Sequence, residues 1–346
     1  MNVEEIQVQI QLADSLLQQK KDNEAKIVFE KIINFNLLEA NSLCYFRLGE
    51  ICNRQGGLID SIKYHRLAFK SNPALCSQLL PANISHRSYI YNLGLQNQII
   101  DCPLCDSNAF EHSVFNIALS ANFIDGFDPV RVWRKCNSID CSHIFASTIP
   151  KNLNEILSKT SSSVIKEAKI HRLAQIGEVL TNISKNRNIK TCLEVGAGAG
   201  EQVAVALEFG FEVEAVEIRE SYCENLRETL GIEVFNKSIE EIKFQKKYDL
   251  ILMGDVLEHV INPITLLQNL KNILSDSGIL WISTPNYESA MTRLTKFYDP
   301  MWQVCEHLQY FSKKSISLAL EKVGLKLLEY KSSFQYNGSM ELIISK

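Results

Sequence analysis

The stretch Lys190–Glu201, KTCLEVGAGAGE, decides the fold of this chain. An apolar run ends in three glycines at alternate positions, Gly196, Gly198 and Gly200, and the helical pattern QVAVALEFG follows directly. This order predicts a buried strand, a tight turn and the start of a helix. Glycine suits such a turn because it accepts positive φ and lets the backbone approach a ligand without a Cβ atom in between. The helix N-terminus then offers free N–H groups at the strand end.

The spacing of the small residues favours one kind of ligand. A dinucleotide fingerprint, G-x-G-x-x-G/A, counted from Gly196 places Glu201 at its last small position. A carboxylate there would lie close to a pyrophosphate, so a nucleoside ligand without phosphate fits better. The segment from Glu194 to Gly200 resembles the first motif, E-x-G-x-G-x-G, of class I S-adenosylmethionine-dependent methyltransferases. The alternative is a glycine-rich loop in some other α/β protein.

The next two apolar runs add candidate cofactor residues. Residues 211–216 end in Glu217, 21 positions after the first glycine. An acidic residue that ends the second strand is placed to accept both ribose hydroxyls, and the alternative is an ordinary solvated glutamate. Residues 232–235 lead to Ser238 and Ile239. The family resemblance implies that this region flanks the adenine ring.

The fourth apolar run and the segment after it resemble one branch of the family. Residues 248–253 run into DVLEHV at 255–260, which is similar to the D-x-L-E-H-V segment of the ubiquinone-biosynthesis O-methyltransferase-like branch. Residues 278–286 match the G-x-L-x-I-S-T-P-N strand of the same branch. The resemblance implies that Asp255 faces the methionine end of the cofactor.

This resemblance implies an α/β fold, a Rossmann-like seven-stranded class I methyltransferase domain over residues 151–346. Helices predicted at 152–158 and 163–184 would cover the cofactor cleft. A β-hairpin is predicted over 325–345, with its turn at Tyr336-Asn-Gly338. The resemblance implies that this hairpin completes the domain.

An aromatic-rich insertion at 287–311 supplies candidates for chemistry. We expect its aromatic residues to form a substrate lid, except Phe311, for which packing of the last helix onto the sheet is preferred. His307 lies in a segment that resembles E-H-L-x-x-F-S of the same branch, and it is the favoured base or substrate anchor because histidine accepts protons near neutral pH. His259 and Glu258 are the other candidates, and a backbone-bonded histidine at a helix start is the alternative for His259.

The composition and charge of the chain limit the classes of protein to which it can belong. The chain has 346 residues, 46% hydrophobic and 22% charged, as in soluble globular proteins. A net charge of −4 gives no electrostatic footprint for nucleic acid. No secretory signal and no apolar run of ~20 residues is visible, and the ten cysteines therefore suggest thiols or metal ligands. We expect a cytoplasmic protein without a membrane span.

Residues 1–75 read as helices and resemble two tetratricopeptide repeats. The small residues Ala25 and Ser61 stand 36 positions apart, close to the usual period of ~34. Leu37 stands where proline is expected, and His65 occupies a large apolar position. Two repeats seldom stack alone, so we expect them to lean on the rest of the protein or on a second copy. They are interpreted as an arm for protein docking or self-association, or as a helical cap without a partner.

Residues 76–100 read as a linker, and 101–150 as a small zinc-ribbon-like module. Two cysteine pairs about thirty positions apart are typical of such a ribbon. The predicted ligands are Cys102, Cys105, Cys136 and Cys141. The second pair lies in a segment that resembles C-x-x-C-G-H-x-F of a zinc-binding module in some sugar-modifying C-methyltransferases. Its longer C-x-x-x-x-C spacing leaves open that His143 replaces Cys141, and reduced cysteines without metal are the alternative. A metal with four protein ligands would be structural.

Together these features predict an S-adenosylmethionine-dependent methyltransferase that transfers a methyl group by in-line SN2 displacement. The expected acceptor is a small molecule: a sugar, a nucleotide-sugar or a related envelope or secondary-metabolite intermediate. The alternatives are a protein methyltransferase whose repeats dock a polypeptide, and a non-catalytic scaffold. Intact Glu194, Glu217 and Asp255 argue against the scaffold. A closed pocket behind Trp302 and Tyr310 would favour a small acceptor over a polypeptide.

Overall fold

Two helical hairpins open the chain. The computed structural model describes residues 2–35, 37–120, 123–159, 170–333 and 338–346. The first four helices are α1 (Val3–Gln18), α2 (Asp22–Ile33), α3 (Leu38–Arg54) and α4 (Leu58–Ser71). Asn2 caps α1, because its side chain accepts from the Glu5 N–H while the Glu5 carboxylate accepts from the Asn2 N–H. The small residues Ala13 and Ala25 are fully buried beside Phe29, which lets the paired helices approach closely.

Residues 76–100 are folded against the rest of the protein, which differs from the predicted linker. Their regular elements are α5 (Cys76–Leu79) and β1 (Gln96–Gln98). Leu80 and Tyr89 are buried in one cluster with Phe127, and the Tyr89 hydroxyl donates to the Phe127 carbonyl at 3.1 Å. Apolar side chains scattered through a polar segment find a core here that the sequence pattern does not reveal.

The cysteine-rich module is built on a small antiparallel sheet. Its strands are β2 (Ala109–Asn116), β3 (Val130–Cys136) and β4 (Ile144–Ala146), and β5 (Thr148–Pro150) pairs separately with β1. A fourth strand of this sheet, residues 309–310, comes from the far end of the chain and pairs with β4. The module is therefore joined to the C-terminal part of the protein through a shared sheet.

The helical hairpins lean on this module, as expected from the sequence. Asn116 of β2 donates its amide N–H to Nδ1 of His65 at 3.2 Å. Asn53 donates to the Val114 carbonyl at 3.1 Å, and Arg66 pairs with the buried Asp128 at 3.1 Å. His65 thus fills an apolar position of the second hairpin because a polar partner from β2 reaches it.

The C-terminal part is a seven-stranded α/β domain, and this confirms the predicted Rossmann-like methyltransferase fold. The two helices before the sheet are α6 (Leu153–Lys159) and α7 (Ile170–Ser184). The first half of the sheet region holds β6 (Thr191–Val195), α8 (Glu201–Glu208), β7 (Glu212–Val216), α9 (Glu220–Leu230) and β8 (Glu233–Phe235). The second half holds β9 (Tyr248–Gly254), α10 (Pro263–Ile273), β10 (Leu274–Pro285), α11 (Ala290–Thr295), β11 (Gln309–Tyr310), α12 (Lys313–Lys322), β12 (Lys326–Ser332) and β13 (Ser339–Ser345).

The strand order is β12-β13-β10-β9-β6-β7-β8. Strands β6 to β10 run parallel to their neighbours, and β13 is antiparallel to both β10 and β12. Successive residues of β6 face opposite sides: Cys192 packs with α7, α8 and α9, and Leu193 packs with α10 and α12. The start of the predicted 163–184 helix and the hairpin residues Phe334, Tyr336 and Asn337 lie outside the described residues.

The aromatic insertion packs mainly into the structure instead of standing over it. Tyr287, Trp302 and Tyr310 are buried in one cluster with Trp133 of β3. Phe311 is fully buried in the core under α12, as the sequence interpretation preferred. Across the described parts of the chain, no helix combines the length and the apolar character needed to cross a membrane.

Candidate active site and cysteine cluster

The glycine turn lies at the carboxyl end of β6 and has a packed side and an open side. Gly200 has φ +87°, and a Cβ atom there would lie 2.3 Å from Cδ2 of Leu226. A Cβ on Gly196 (φ +76°) would lie 2.4 Å from Cγ2 of Val256. Gly198, at φ +52°, would meet nothing within 4 Å. Two glycines are thus required by packing, and the third leaves an open face that a ligand can approach.

A cavity of about 480 Å³ opens in front of this turn. Its volume lies in the usual range for small-molecule sites. Six predicted site residues line it: Gly196, Glu217, Ser238, Ile239, Asp255 and His259. Residues of α6, Leu153 and Glu155 among them, also line this cavity, and the sequence predicts a covering helix in this segment. The first cavity therefore gathers residues from four segments at the carboxyl ends of β6, β7, β8 and β9.

Glu217 is almost fully buried, with 2% of its surface exposed, and it already holds three donors. Its Oε2 accepts from the Gly198 N–H at 2.8 Å. Its Oε1 accepts from the N–H of Arg219 at 2.9 Å and from Nε of Arg219 at 3.1 Å. The acid predicted to bind ribose is thus bound to the glycine turn on one side and to an arginine on the other.

Glu194 lies behind the turn and does not line the cavity. Burial, followed by the charges of Glu201 and Glu217, raises the pKa of its carboxyl well above the usual value. Among the described residues its Oε2 has no hydrogen-bond partner. Arg172 of α7, which no motif singled out, lies beside it and pairs with Glu201 at 3.5 Å. Glu194 is therefore a buried carboxyl at the end of β6 that does not line the first cavity in this structure.

Asp255 and Glu258 lie in the turn after β9. Asp255 has φ +54°, a conformation that few non-glycine residues adopt, and its carboxylate accepts from the Ser283 hydroxyl at 3.2 Å. Glu258 is buried, and its Oε2 accepts from the Thr284 hydroxyl at 2.9 Å. Burial, with repulsion from Asp255, raises the pKa of Glu258 well above its usual value. Asp255 faces the first cavity, and Glu258 lies behind it.

The two candidate histidines lie together. The rings of His259 and His307 are 5.0 Å apart, and Nδ1 of His259 donates to the Glu306 carbonyl at 2.9 Å. Burial lowers the pKa of His259 to about 4 and that of His307 well below its usual value, so both rings are neutral near pH 7. Ligand atoms of Glu258, His259 and His307 lie within 4.8 Å of one another, so this group could hold a cation. His259 lines the first cavity, whereas His307 is hydrogen-bonded to the Tyr310 hydroxyl at 2.9 Å.

A second cavity of about 1100 Å³ adjoins the first. It lies between residues 123–126 of the cysteine-rich module, α6 and residues 298–306 of the insertion. Four residues line both cavities: Asn152, Glu155, Arg219 and Glu306. The sequence interpretation singled out none of these four as a site residue, because they come from distant segments, although Glu306 begins the segment that resembles E-H-L-x-x-F-S. Arg219 could have been noticed, since it follows the predicted ribose acid by two positions.

A closed pocket behind Trp302 and Tyr310, the feature that would favour a small acceptor, is not found among the described residues. Neither residue lines the described cavities, and both are buried against Trp133, with ring centroids 5.9 and 4.5 Å away. Tyr298, 92% exposed, lines the second cavity instead. The aromatic insertion serves mainly to attach the domain to the module, because the module presents an apolar sheet face to it.

The four predicted cysteine ligands come together. Sγ of Cys102 lies 3.7 Å from Sγ of Cys141, and Sγ of Cys105 lies 3.4 Å from Sγ of Cys136. All four sulfur atoms lie within 4.8 Å of one another. Tetrahedral zinc with Zn–S of about 2.3 Å separates sulfur atoms by about 3.8 Å, so the cluster fits such an ion. Burial opposes ionisation of Cys105, but hydrogen bonds, foremost with Ser107, lower its pKa to about 7.

His143, the alternative ligand, is directed elsewhere. Its Nε2 donates to Oε1 of Gln309 at 2.7 Å, and its ring packs on Phe311 with centroids 4.8 Å apart. The structure thus groups Cys141, and not His143, with the other three thiols.

Comparison with known proteins identifies the C-terminal part. Residues 167–330 match the family described as methyltransferase domain, Methyltransf_23. The chain carries a class I S-adenosylmethionine-dependent methyltransferase domain. The methyltransferase domain is similar to a ubiquinone biosynthesis O-methyltransferase of Rickettsia canadensis, with 31% identity over 120 residues, or 33% of this chain and 51% of that protein. A Rickettsia prowazekii protein of the same name is 31% identical over 127 residues, or 34% of this chain and 50% of that protein.

The chain therefore spans about half the length of the curated relatives it matches. Among solved structures, the CcbJ methyltransferase from Streptomyces caelestis is similar with a TM-score of 0.42 and 14% identity. That similarity covers 55% of this chain and 94% of the CcbJ chain.

Proposed function

We propose that this protein is an S-adenosylmethionine-dependent methyltransferase that acts on a small molecule. One observation carries the proposal: a glycine turn and a buried acid border a cavity of about 480 Å³ that adjoins a larger second cavity. The first cavity suits the cofactor, and the second suits an acceptor. None of the described residues of the helical hairpins lines either cavity, which favours a small acceptor over a docked polypeptide.

When bound, S-adenosylmethionine supplies a methyl group made electrophilic by its sulfonium. In the proposed mode, the turn at Gly196–Gly200 and the start of α8 hold the cofactor, with Glu194 supporting the turn. Glu217 accepts the ribose hydroxyls, while Ser238 and Ile239 flank adenine. Asp255, at the end of β9, faces the methionine part. The chain's contribution is to align the acceptor with the methyl group and to exclude water, which can supply about 7–11 kcal/mol at best.

For an acceptor that must lose a proton, the proposed groups are His259, His307 and Glu258. Both imidazoles are neutral at pH 7, so either can accept a proton. His259 lines the first cavity and is the better placed of the two, since His307 is held by Tyr310. We therefore assign His307 the role of an anchor behind His259, and Glu258 that of their buried neighbour.

The acceptor proposed is a sugar, a nucleotide-sugar or a related envelope or secondary-metabolite intermediate. The named Rickettsia relatives are O-methyltransferases of ubiquinone biosynthesis, which supports a small hydroxyl-bearing acceptor. The four cysteines are proposed to bind one structural zinc ion, which would stabilise the module that walls the second cavity. The helical hairpins are proposed as a surface for a protein partner or for self-association, and a cytoplasmic location remains an expectation from the sequence.

Calorimetry with S-adenosylhomocysteine tests the cofactor site. We expect micromolar binding by the intact chain and a loss of at least about tenfold in Glu217→Ala, because a buried carboxylate that binds hydroxyls contributes about 1.5–3 kcal/mol. Glu220→Ala is the matched control, since Glu220 is exposed at the start of α9 three residues later. A folded chain that takes up neither S-adenosylmethionine nor S-adenosylhomocysteine would refute the proposal. The release of S-adenosylhomocysteine is then measured with a panel of nucleotide-sugars and phenols, and separately with a protein extract. The substrate set that stimulates release distinguishes a small acceptor from a polypeptide acceptor.

A further inference from the structure

Arg219 is shared by the two cavities and is bound to the acid that the cofactor needs. We propose that cofactor binding releases the Arg219 side chain from Glu217, and that the released guanidinium becomes an anion-binding group of the second cavity. The acceptor then carries a phosphate or carboxylate and binds after the cofactor. This inference rests on the proposed function, because it assumes that ribose hydroxyls bind Glu217.

The first step follows from the hydrogen-bonding capacity of Glu217. A carboxylate offers about four acceptor sites. Three are occupied, by the Gly198 N–H, the Arg219 N–H and the Arg219 Nε–H. Two ribose hydroxyls need two sites, so one present donor must leave. Glu217 is held at the wall of the first cavity by these bonds, with 2% of its surface exposed.

The donor that leaves is the guanidinium, since the other two are backbone groups in fixed positions. The Gly198 N–H belongs to the glycine turn, and the Arg219 N–H belongs to the cap residue of α9. Asn236 fixes the neighbouring backbone, because its amide donates to the carbonyls of Glu217 and Ile218 at 3.2 and 3.0 Å. The Arg219 side chain, by contrast, is 31% exposed and can move.

The second step concerns where the guanidinium goes. It lies over the Tyr222 ring, 4.6 Å from the centroid, so it keeps a support after it leaves Glu217. It already lines the second cavity as well as the first. Among the described residues that line this cavity, the other cation is Lys159, which is exposed and paired with Glu155 at 2.6 Å. Arg219 is therefore the cation that cofactor binding makes available to an acceptor.

The charges of the second cavity set the order of binding. While Arg219 is bound to Glu217, the described residues that line the second cavity present the carboxylates of Asp125, Glu155 and Glu306 and the ammonium of Lys159. These charges repel an anion. Only the Nε–H of the Arg219 side chain is bound to Glu217, and breaking this bond frees the guanidinium to turn its planar pair of terminal donors toward an anion, the geometry that binds phosphate and carboxylate in a bidentate manner. An anionic acceptor is therefore favoured only after the cofactor is in place.

Calorimetry on the full chain tests this with inorganic pyrophosphate and benzoate as probes for phosphate and carboxylate. We expect at least one probe to bind about tenfold more tightly when S-adenosylhomocysteine is saturating, a coupling of about 1.4 kcal/mol. Coupling is reciprocal, so that probe must tighten S-adenosylhomocysteine by the same factor. Arg219→Gln should bind S-adenosylhomocysteine at least as well as the parent and lose the coupling, and Arg219→Lys should keep part of it. Lys159→Gln, the control from the same cavity, should keep it all.

The outcomes separate this inference from the proposed function. If the parent chain does not bind S-adenosylhomocysteine, the proposed function fails. If S-adenosylhomocysteine binds but neither probe responds to it, the release of Arg219 is refuted while the proposed function stands. A coupling that survives in Arg219→Gln refutes it as well.

Discussion

Gln309 accepts a hydrogen bond from Nε2 of His143 at 2.7 Å, and this contact joins the cysteine-rich module to the methyltransferase domain. The amide N–H of the same side chain donates to the carbonyls of Val260 and Ile261, at 3.3 and 3.4 Å. Val260 and Ile261 line the first cavity. One buried amide therefore links a residue two positions after Cys141 to the wall of the cofactor cavity.

We expect Gln309→Leu to lower the free energy of unfolding by about 1–3 kcal/mol, because it leaves His143 and two carbonyls without their partner. It should also weaken S-adenosylhomocysteine binding, since the carbonyls belong to the cavity wall. Denaturant unfolding and calorimetry measure the two effects. Gln268→Leu, on the exposed face of α10, is the control and should change neither. Unchanged stability in Gln309→Leu would show that the link is dispensable.

The cysteine cluster predicts a metal content of about one zinc ion per chain. Cys105→Ser should lose the metal and lower the melting temperature, because a structural zinc site contributes directly to folding. Elemental analysis and calorimetric melting provide the measurements. Cys52→Ser, a buried thiol of the helical hairpins, should retain the metal. A parent protein that contains no metal and has the same melting temperature as Cys105→Ser would contradict the assignment.

The glycine turn predicts opposite consequences at two neighbouring positions. Gly200→Ala should destabilise the fold by more than about 1–3 kcal/mol, since a φ of +87° is strained for alanine and the new Cβ lies 2.3 Å from Leu226. Gly198→Ala meets open space, so it should cost only the backbone strain and fold normally. It should nevertheless weaken S-adenosylhomocysteine binding by covering the open face. Denaturant unfolding of both variants, with calorimetry on Gly198→Ala, distinguishes the effects. Equal stability losses would contradict this division of roles.

The buried His65 predicts sensitivity to acid. Burial lowers its pKa from 6.5 to about 4, so the unfolded chain binds the proton more tightly than the folded one. The free energy of unfolding must therefore fall as the pH drops from about 6.5 to 4, by at most about 3 kcal/mol from this residue. His65→Gln should have a shallower pH dependence in that window. Above pH 7.5 the free energies of unfolding of the two proteins should depend on pH in the same way. An equally steep pH dependence of both proteins between pH 6.5 and 4 would contradict the prediction.

The methyltransferase domain could be predicted from sequence because its key features are local. Alternating glycines after an apolar run, and an acid after the next run, fix a strand, a turn and the end of a second strand within 28 residues of Lys190. The four cysteines were also visible, because two pairs at ribbon spacing leave few arrangements. The choice between Cys141 and His143 was not, since it depends on the pairing of Gln309 with β4.

The second cavity could not be predicted, because its walls come from segments that share no pattern. Arg219 and Glu306 meet only after the insertion has packed on the module. Burial of Trp302 and Tyr310 was missed for a related reason. An aromatic side chain in a lid and one in a core look the same in sequence, and the partner, Trp133, stands 169 positions from Trp302.

The strand at 309–310 carries a consequence for how such a protein is taken apart. Deleting the first 150 residues would strip this strand of its neighbour and leave a buried tryptophan and tyrosine facing water. The methyltransferase domain is therefore not separable from the module, and fusing it to another protein would require the small antiparallel sheet to be included.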